Sequence, residues 1–367
     1  LDAQDETKIG GLARSAFGGM ALIGTPEQRR NGITDNAEIA LKDWHAFANF
    51  SQEDVFPKQW AKLYVEQSYQ DIYQYVKNLG VKFLPAVNWV ERGLYSGGNS
   101  VPRYHVIWGT SLDLVNKILR AIAPFKSKNI HFGFNRKVSQ LLTANETIIG
   151  CQDTQGEQYL SNSTIVATGG FTGNLSKVKA NWPKHFSPAP ENLLNGTHPS
   201  CDGAMHDEVN NIGGNITYLD KMWNYAAGIP HPKATFEHQG LSLIPCKSAL
   251  WLDSKGKRIG PEPMVTGFDT NELCRRMSEQ KSGYAWQVLN WKIASKEFAV
   301  SGVEHNQMIR DKKFFTMLKE TLLGNHRLVK QMQDECDHFI VSDSISELTI
   351  KMNELTTTTA IRKQVLQ

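Results

Sequence analysis

Residues 163–174, STIVATGGFTGN, set a β-branched run, Thr164-Ile165-Val166, just ahead of Thr168 and the pair Gly169-Gly170. Side chains branched at Cβ favour strand backbone, and a short apolar run closed by turn residues predicts a buried strand. Glycines at a strand end mean either an unusual dihedral or an approach too close for a side chain. The functional question is what that strand end approaches.

The surroundings point the same way. Short runs from 130 to 168, NIHFGF, KVSQLLT, TIIGCQ, EQYLS and STIVAT, carry turn residues Ala144-Asn145-Glu146 and Thr154-Gln155-Gly156 between the middle ones, which predicts a β-meander feeding a buried strand. Helical spacing precedes it: Trp60, Leu63, Tyr64, Ile72, Tyr75, Val76 and Leu79 predict a helix over 58–79 stopped by Gly80. A second helix is expected from a Thr110-Ser111 cap through Leu114, Val115, Ile118, Leu119 and Ile122 to Pro124. Beyond the meander, Met205, Val209 and Ile212 share one face of a helix over 202–212, with Asp202 suited to its N-cap and Gly213-Gly214 ending it. A hairpin signal, LWLDSKGKRI, and mixed helical segments follow. Pro-rich SPAPENLLNGTHPS (187–200) is the expected boundary between two domains.

Composition excludes several classes of partner. The 367 residues are long enough for two domains, and 40% apolar with 21% charged content describes an ordinary globular chain. Forty basic against 37 acidic residues leave a net charge of +3, spread along the chain, so neither nucleic acid nor an anionic membrane is called for. The five cysteines (Cys151, Cys201, Cys246, Cys274, Cys336) stand alone, without disulfide or zinc spacing, and the expected setting is reducing and cytoplasmic. Triplets such as Asn145-Glu146-Thr147 carry no weight without a secretory signal, and none is expected here. No run of about 18 apolar residues predicts a membrane span. The chain opens at Leu1 without Met and ends on a polar tail (357–367), so a piece truncated at both ends is expected.

Three glycine pairs, Gly10-Gly11, Gly18-Gly19 and Gly169-Gly170, can offer backbone N–H groups to phosphate and bare main chain to a flat cofactor; each pair alone reads equally as a plain turn. Together with IGGLARSAFGGM (9–20), SVPRYHVIWGTS (100–111), CDGAMHDEVNNIGGNI (201–216) and ALWLDSKGKRI (249–259), the sequence resembles the fumarate reductase/3-ketosteroid dehydrogenase family of FAD enzymes over residues 1 to 260. It is most similar there to the group known simply as FAD-binding dehydrogenases.

That resemblance implies an α/β fold: a partial Rossmann-like FAD-binding domain with an inserted β-meander over 1–195, lacking the first strand and helix, and an α+β capping domain over 196–356. It implies FAD as cofactor and the following contacts. Asp2, at a strand end, would bind the adenosine ribose, with a loose terminal Asp as the alternative. Gly10, Gly11, Phe17, Gly18 and Gly19 would run beside the pyrophosphate and flavin, although Leu12 and Phe17 depart from the family's residues there. Val138 would read the adenine edge or be a plain core valine. Thr168, Gly169 and Gly170 would pass under the FAD, and Asn174 would cap the next turn. Asp202, in Cys201-Asp202-Gly203 where the family has G-D-G, would touch the cofactor, cap its helix, or both.

The substrate side departs further. A fumarate reductase holds its dicarboxylate with a His from a His-Pro-Thr segment and two arginines; here Asn224 or Tyr225 falls at the His position, His231-Pro232 follows later, and Thr266 to Phe268 replace an arginine. Without that bidentate partner fumarate is disfavoured. The aromatics Trp223, Tyr225 and Phe268 point instead to an apolar, cyclic ketone, with Tyr225 as candidate acid, or else to plain core packing. Arg103 and His105 form a second polar cluster for the flavin edge, with a surface anchor as the alternative. The expected function is hydride transfer between flavin and a C–C bond of a small molecule, with an unidentified electron partner. A non-catalytic flavoprotein segment and a fumarate/succinate-type reductase are the competing readings, and a nicotinamide dehydrogenase fits poorly. No G-x-G-x-x-G is present.

Overall fold

The computed structural model describes residues 1–93, 97–126, 128–262, 264–265, 267 and 269–362. Its strands form small antiparallel sheets. In the first, β1 (Gly19–Ala21) and β2 (Phe83–Asn88) flank β3 (Tyr104–Ile107), with Met20 and Val87 opposite His105. The central strand is the most buried of the three, so polar side chains on it must find partners inside the protein.

The expected helix before β2 is present and longer. Val55–Gln67 runs through a π-helical stretch, Ser68–Gln74, into Tyr75–Asn78. Such a wide turn leaves the regular hydrogen-bond ladder, and outside partners hold it here: Ser68 Oγ accepts the Ile23 N–H at 3.3 Å, and Tyr73 donates to Glu27 at 2.8 Å. The second helix, Thr110–Ile122, also forms as expected, but its N-cap is Gly109. Thr110 sits at φ 62 and its hydroxyl donates back to Gly109 O at 2.6 Å, which turns it away from the first-turn N–H groups it was expected to cap.

The meander is β4 (Val138–Ala144), β5 (Thr147–Asp153) and β6 (Gln158–Leu160), in that order. The helix Ala204–Asn211 packs on it through Met205 against Leu141 and Cys151, with Val209 and Ile212 alongside. Asp202 lies one residue ahead of the N-cap Gly203, and its Oδ1 accepts the Ala204 N–H at 2.9 Å, so its carboxylate still meets an orphan donor of the first turn.

Two expected strands are corrected. Residues 130–135 form none: the N–H groups of Asn129 and Ile130 turn back onto Phe125 O, leaving a single isolated bridge at Ile130. Nor do residues 164–168 form a buried strand. Among the described residues no backbone–backbone hydrogen bond involves 162–170, and Ile165 is 90% exposed. Strand propensity expresses fit to a neighbouring strand, and no described strand lies beside this run. Every named strand pair is antiparallel, so the architecture is mixed α/β with small sheets.

The largest apolar cluster lies in the second half. There β7 (Gly228–Pro230) pairs with β8 (Gly240–Ile244), β9 (Leu250–Leu252) with β10 (Trp286–Val288), and β11 (Ala299–Val300) with the other edge of β8. Leu241, Leu243, Trp251 and Phe298 meet Leu328 and Met332 of the helix His326–Glu335 in one core. Each fully buried side chain of this kind contributes about 1.5–3 kcal/mol. Among the described residues no helix is long and apolar enough to cross a membrane, and the five cysteines are free.

Candidate functional site

The glycine segment 10–19 is held by the helix Thr110–Ile122 and by β3. A Cβ on Gly10 would lie 2.6 Å from Val115 Cγ1, and one on Gly19 would overlap the Tyr104 ring at 1.7 Å. Gly18 has φ 91, and a Cβ there would lie 2.4 Å from the Ser111 backbone nitrogen. Packing inside the protein therefore accounts for glycine at these three positions. Gly11 differs: among the described residues nothing lies within 4 Å of its Cβ position. Phe17 is half-buried between the two pairs.

Arg103 and His105 occupy the interior of the same sheet. Arg103, 4% exposed, is bidentate to Asp35 at 2.8 and 2.9 Å and also donates to Asp43 at 2.6 Å and Asn99 at 2.8 Å. Hydrogen bonds to the two carboxylates raise its pKa further against the cost of burial. His105 is fully buried. Its Nδ1–H donates to Arg103 O at 2.6 Å, which leaves Nε2 to accept the Thr25 hydroxyl at 2.7 Å. Burial pushes its pKa down, so the ring is neutral at neutral pH. Both side chains are thus committed within the protein and hold β1–β3 to the segment 25–43.

Asp2, Val138, Asp202 and Gly169 form a second neighbourhood. The Asp2 N–H donates to Gly133 O and its carbonyl accepts the Arg136 N–H at 2.9 Å, two residues before Val138 opens β4. Lys137 reaches Asp202 at 2.7 Å, and the ion pair holds the Asp202 carboxyl below its usual range against partial burial. Among the described residues, Gly169, at φ 80, has only Cys201 Sγ, 3.7 Å away, near its Cβ position, and Gly170 has nothing within 4 Å of its own. Thr168 is exposed. Asn174 caps the helix Leu175–Ala180 through the Lys177 N–H.

Tyr225 belongs with the first neighbourhood. It is 53% exposed and tilted against Trp223 at 6.4 Å between centroids, and after burial it is the group that pushes up the pKa of Tyr104, the ring that covers Gly19. Crowding by the surrounding protein pushes both tyrosines up, against the pull of Trp223 and Ser301 on Tyr225, so both hydroxyls are protonated at neutral pH. Tyr104 was not singled out from the sequence, where its only signal is its place between Arg103 and His105 in SVPRYHVIWGTS. Thr266 and Phe268 lie outside the described residues.

Over this framework the chain aligns with curated relatives along nearly its whole length. A KsdD-like steroid dehydrogenase of Mycobacterium tuberculosis (strain CDC 1551 / Oshkosh) is 34% identical over 378 positions, covering 97% of this chain and 66% of the relative. The KsdD-like steroid dehydrogenase of Mycolicibacterium smegmatis is 32% identical over 377 positions, covering 97% of this chain and 68% of its own. The chain belongs to the KsdD-like steroid dehydrogenase family. It spans about two thirds of the length of these family members. No protein-family model matches it. In fold it is similar to 3-ketosteroid delta1-dehydrogenase from Sterolibacterium denitrificans, solved in complex with 1,4-androstadiene-3,17-dione: the TM-score is 0.59 at 12% identity, over 80% of this chain and 64% of that one.

The resemblance to FAD enzymes implies a flavin, and two features of this chain suit one. The unpaired backbone of 162–170 carries free N–H donors beside the open Gly170, and Gly11 presents a second bare stretch of main chain. Such main chain can approach phosphate oxygens and a flat ring, which a Cβ would keep away.

Proposed function

We propose that this chain supplies the substrate side and much of the dinucleotide cradle of an FAD-dependent steroid dehydrogenase. Asp2, Val138, Thr168, Gly169, Gly170 and Asp202 would hold the adenosine and pyrophosphate end, and Gly10, Gly11, Phe17, Gly18 and Gly19 the flavin end. When bound, FAD would accept a hydride from the C–H of one of two adjacent saturated carbons, leaving a C=C bond as the other carbon loses its proton to water. Tyr225, held protonated, would donate a hydrogen bond to the ketone oxygen of a cyclic substrate, which acidifies the neighbouring C–H. Tyr104, whose ring covers Gly19, would line the flavin end. Exposed Trp223 offers the apolar face that such a substrate would cover.

What supports this reading is Tyr225 beside the exposed Trp223, ring centroids 6.4 Å apart, in a chain 32% identical to a KsdD-like steroid dehydrogenase. Arg103 and His105 act in it as positioning residues. With the Arg103 guanidinium spent on Asp35 and Asp43, it offers no bidentate seat for a dicarboxylate, which argues against a fumarate-type substrate. The test is turnover of a 3-ketosteroid by the FAD-loaded protein with an artificial electron acceptor. Tyr225→Phe is expected to lower kcat by about 10²-fold or more while the flavin absorbance is retained. Unchanged kcat would remove Tyr225 from the mechanism.

A further inference from the structure

β7 and β11 both run antiparallel to β8, on its two sides, so their C-terminal ends emerge at the same edge of the sheet. His231 directly follows β7, and Glu304-His305 follow β11 after one turn. The topology thereby gathers two imidazoles and a carboxylate from segments more than 70 residues apart, with one ligand atom of each within 4.8 Å of the others. His305 is 3% exposed, and among the described residues neither ring nitrogen has a hydrogen-bond partner. A buried imidazole without a partner forfeits the hydrogen bonds it made to water, so such groups call for an explanation.

We propose that His231, Glu304 and His305 form a binding site for a divalent transition-metal ion of the zinc class. Two imidazole nitrogens and one carboxylate oxygen are a donor set that zinc takes, with a fourth position left for water. Tetrahedral bonds of about 2.0–2.1 Å place ligand atoms about 3.3 Å apart, so the three donors need to draw together by about 1.5 Å at most. Glu304, 61% exposed on its side chain, has the freedom to make that move, and its Oε2 already lies 3.6 Å from His231 Nε2. The neighbouring cation, Lys233, is paired with Glu335 at 3.0 Å.

One contact must yield. The Lys233 N–H donates to His231 Nδ1 at 3.1 Å, which puts the ring proton on Nε2. Coordination through Nε2 moves that proton to Nδ1 and opens the Lys233 bond, in an exposed turn where the N–H can turn to water. The ion would clamp the ends of β7 and β11. The loop it fixes touches the glycine segment, since the Val303 N–H donates to Ser15 O at 3.0 Å.

The experiment is a titration of the chelator-stripped protein with Co²⁺, followed by competition with Zn²⁺. Expected are one Co²⁺ per chain, visible d–d absorption of a four-coordinate ion, and its displacement by one equivalent of Zn²⁺. Glu304→Gln, at an exposed side chain that the fold does not need, is expected to weaken Co²⁺ binding by about 10–100-fold, as is His231→Asn. Zn²⁺ is also expected to raise the melting midpoint of the parent protein and not that of Glu304→Gln. No saturable Co²⁺ spectrum, or equal affinity in all three proteins, overturns the site.

Discussion

Gly18-Gly19 and Gly169-Gly170 look alike in the sequence and stand in opposite surroundings. Around the first pair every Cβ position is already taken, by the Ser111 backbone and the Tyr104 ring, and the neighbouring charges are matched inside the protein. Around the second, among the described residues, the backbone from 162 to 170 makes no backbone–backbone hydrogen bond and nothing lies within 4 Å of the Gly170 Cβ position. The first glycines are explained by the fold that contains them. The second pair is not, and the proposed flavin would supply its explanation.

The contrast can be broken at several points. The largest effect is expected at Arg103: Arg103→Ala strands Asp35 and Asp43 as buried carboxylates, at about 3–5 kcal/mol in a denaturant melt. A cost below about 0.5 kcal/mol, the level of an ordinary surface change, would mean that the network is not buried. Gly18→Ala comes next, at roughly 1–3 kcal/mol, because a Cβ at φ 91 meets Ser111 at 2.4 Å. A neutral Gly18→Ala would place Gly18 with the open glycines.

His105 gives the pH signature of the closed region. Its pKa is lowered in the fold, so above the unfolded value of about 6.5 both states are neutral and its stabilisation is fully present. As pH falls through that value the unfolded chain takes up a proton that the folded ring does not. Stability is therefore expected to decline below pH 6.5, by no more than about 1.4 kcal/mol per pH unit from this residue. Subtracting the profile of His105→Gln isolates the contribution, and superimposable profiles would contradict a buried neutral ring. The smallest effects belong to the open region. Ile165→Lys and Gly170→Ala are each expected to change stability by less than about 0.5 kcal/mol, with Gly170→Ala nevertheless weakening FAD retention. A cost above that for Ile165→Lys would show a buried segment.

Much of this was legible in the sequence. The helices around 58–79 and 110–122, the meander over 138–160 and the helix on its face followed from periodicity, although Trp60, Leu63 and Tyr75 of the first helix's expected stripe are exposed and Ala61, Val65, Tyr73 and Val76 are what it buries. The run 164–168 was legible as β-forming but not as unpaired, since pairing is decided by a second strand that the local pattern cannot report. The site was legible in part. The glycine pairs and Tyr225 were visible as motifs, whereas Tyr104 needed the register that sets it across from Ala21, and Asp35 and Asp43 needed the long-range contact with Arg103. His305 gave no signal in the sequence, because its isolation depends on strands β7 and β11 leaving the sheet at one edge.

The proposed closure of the open segment 162–170 by the flavin dinucleotide is tested most directly by amide hydrogen exchange with and without FAD. The account predicts that peptides covering 162–170 exchange at nearly unprotected rates in the FAD-free protein and slow when FAD is added, while Tyr104–Ile107 in β3 stays protected throughout. Protection of 162–170 without FAD, or fast exchange persisting at saturating FAD, would contradict it.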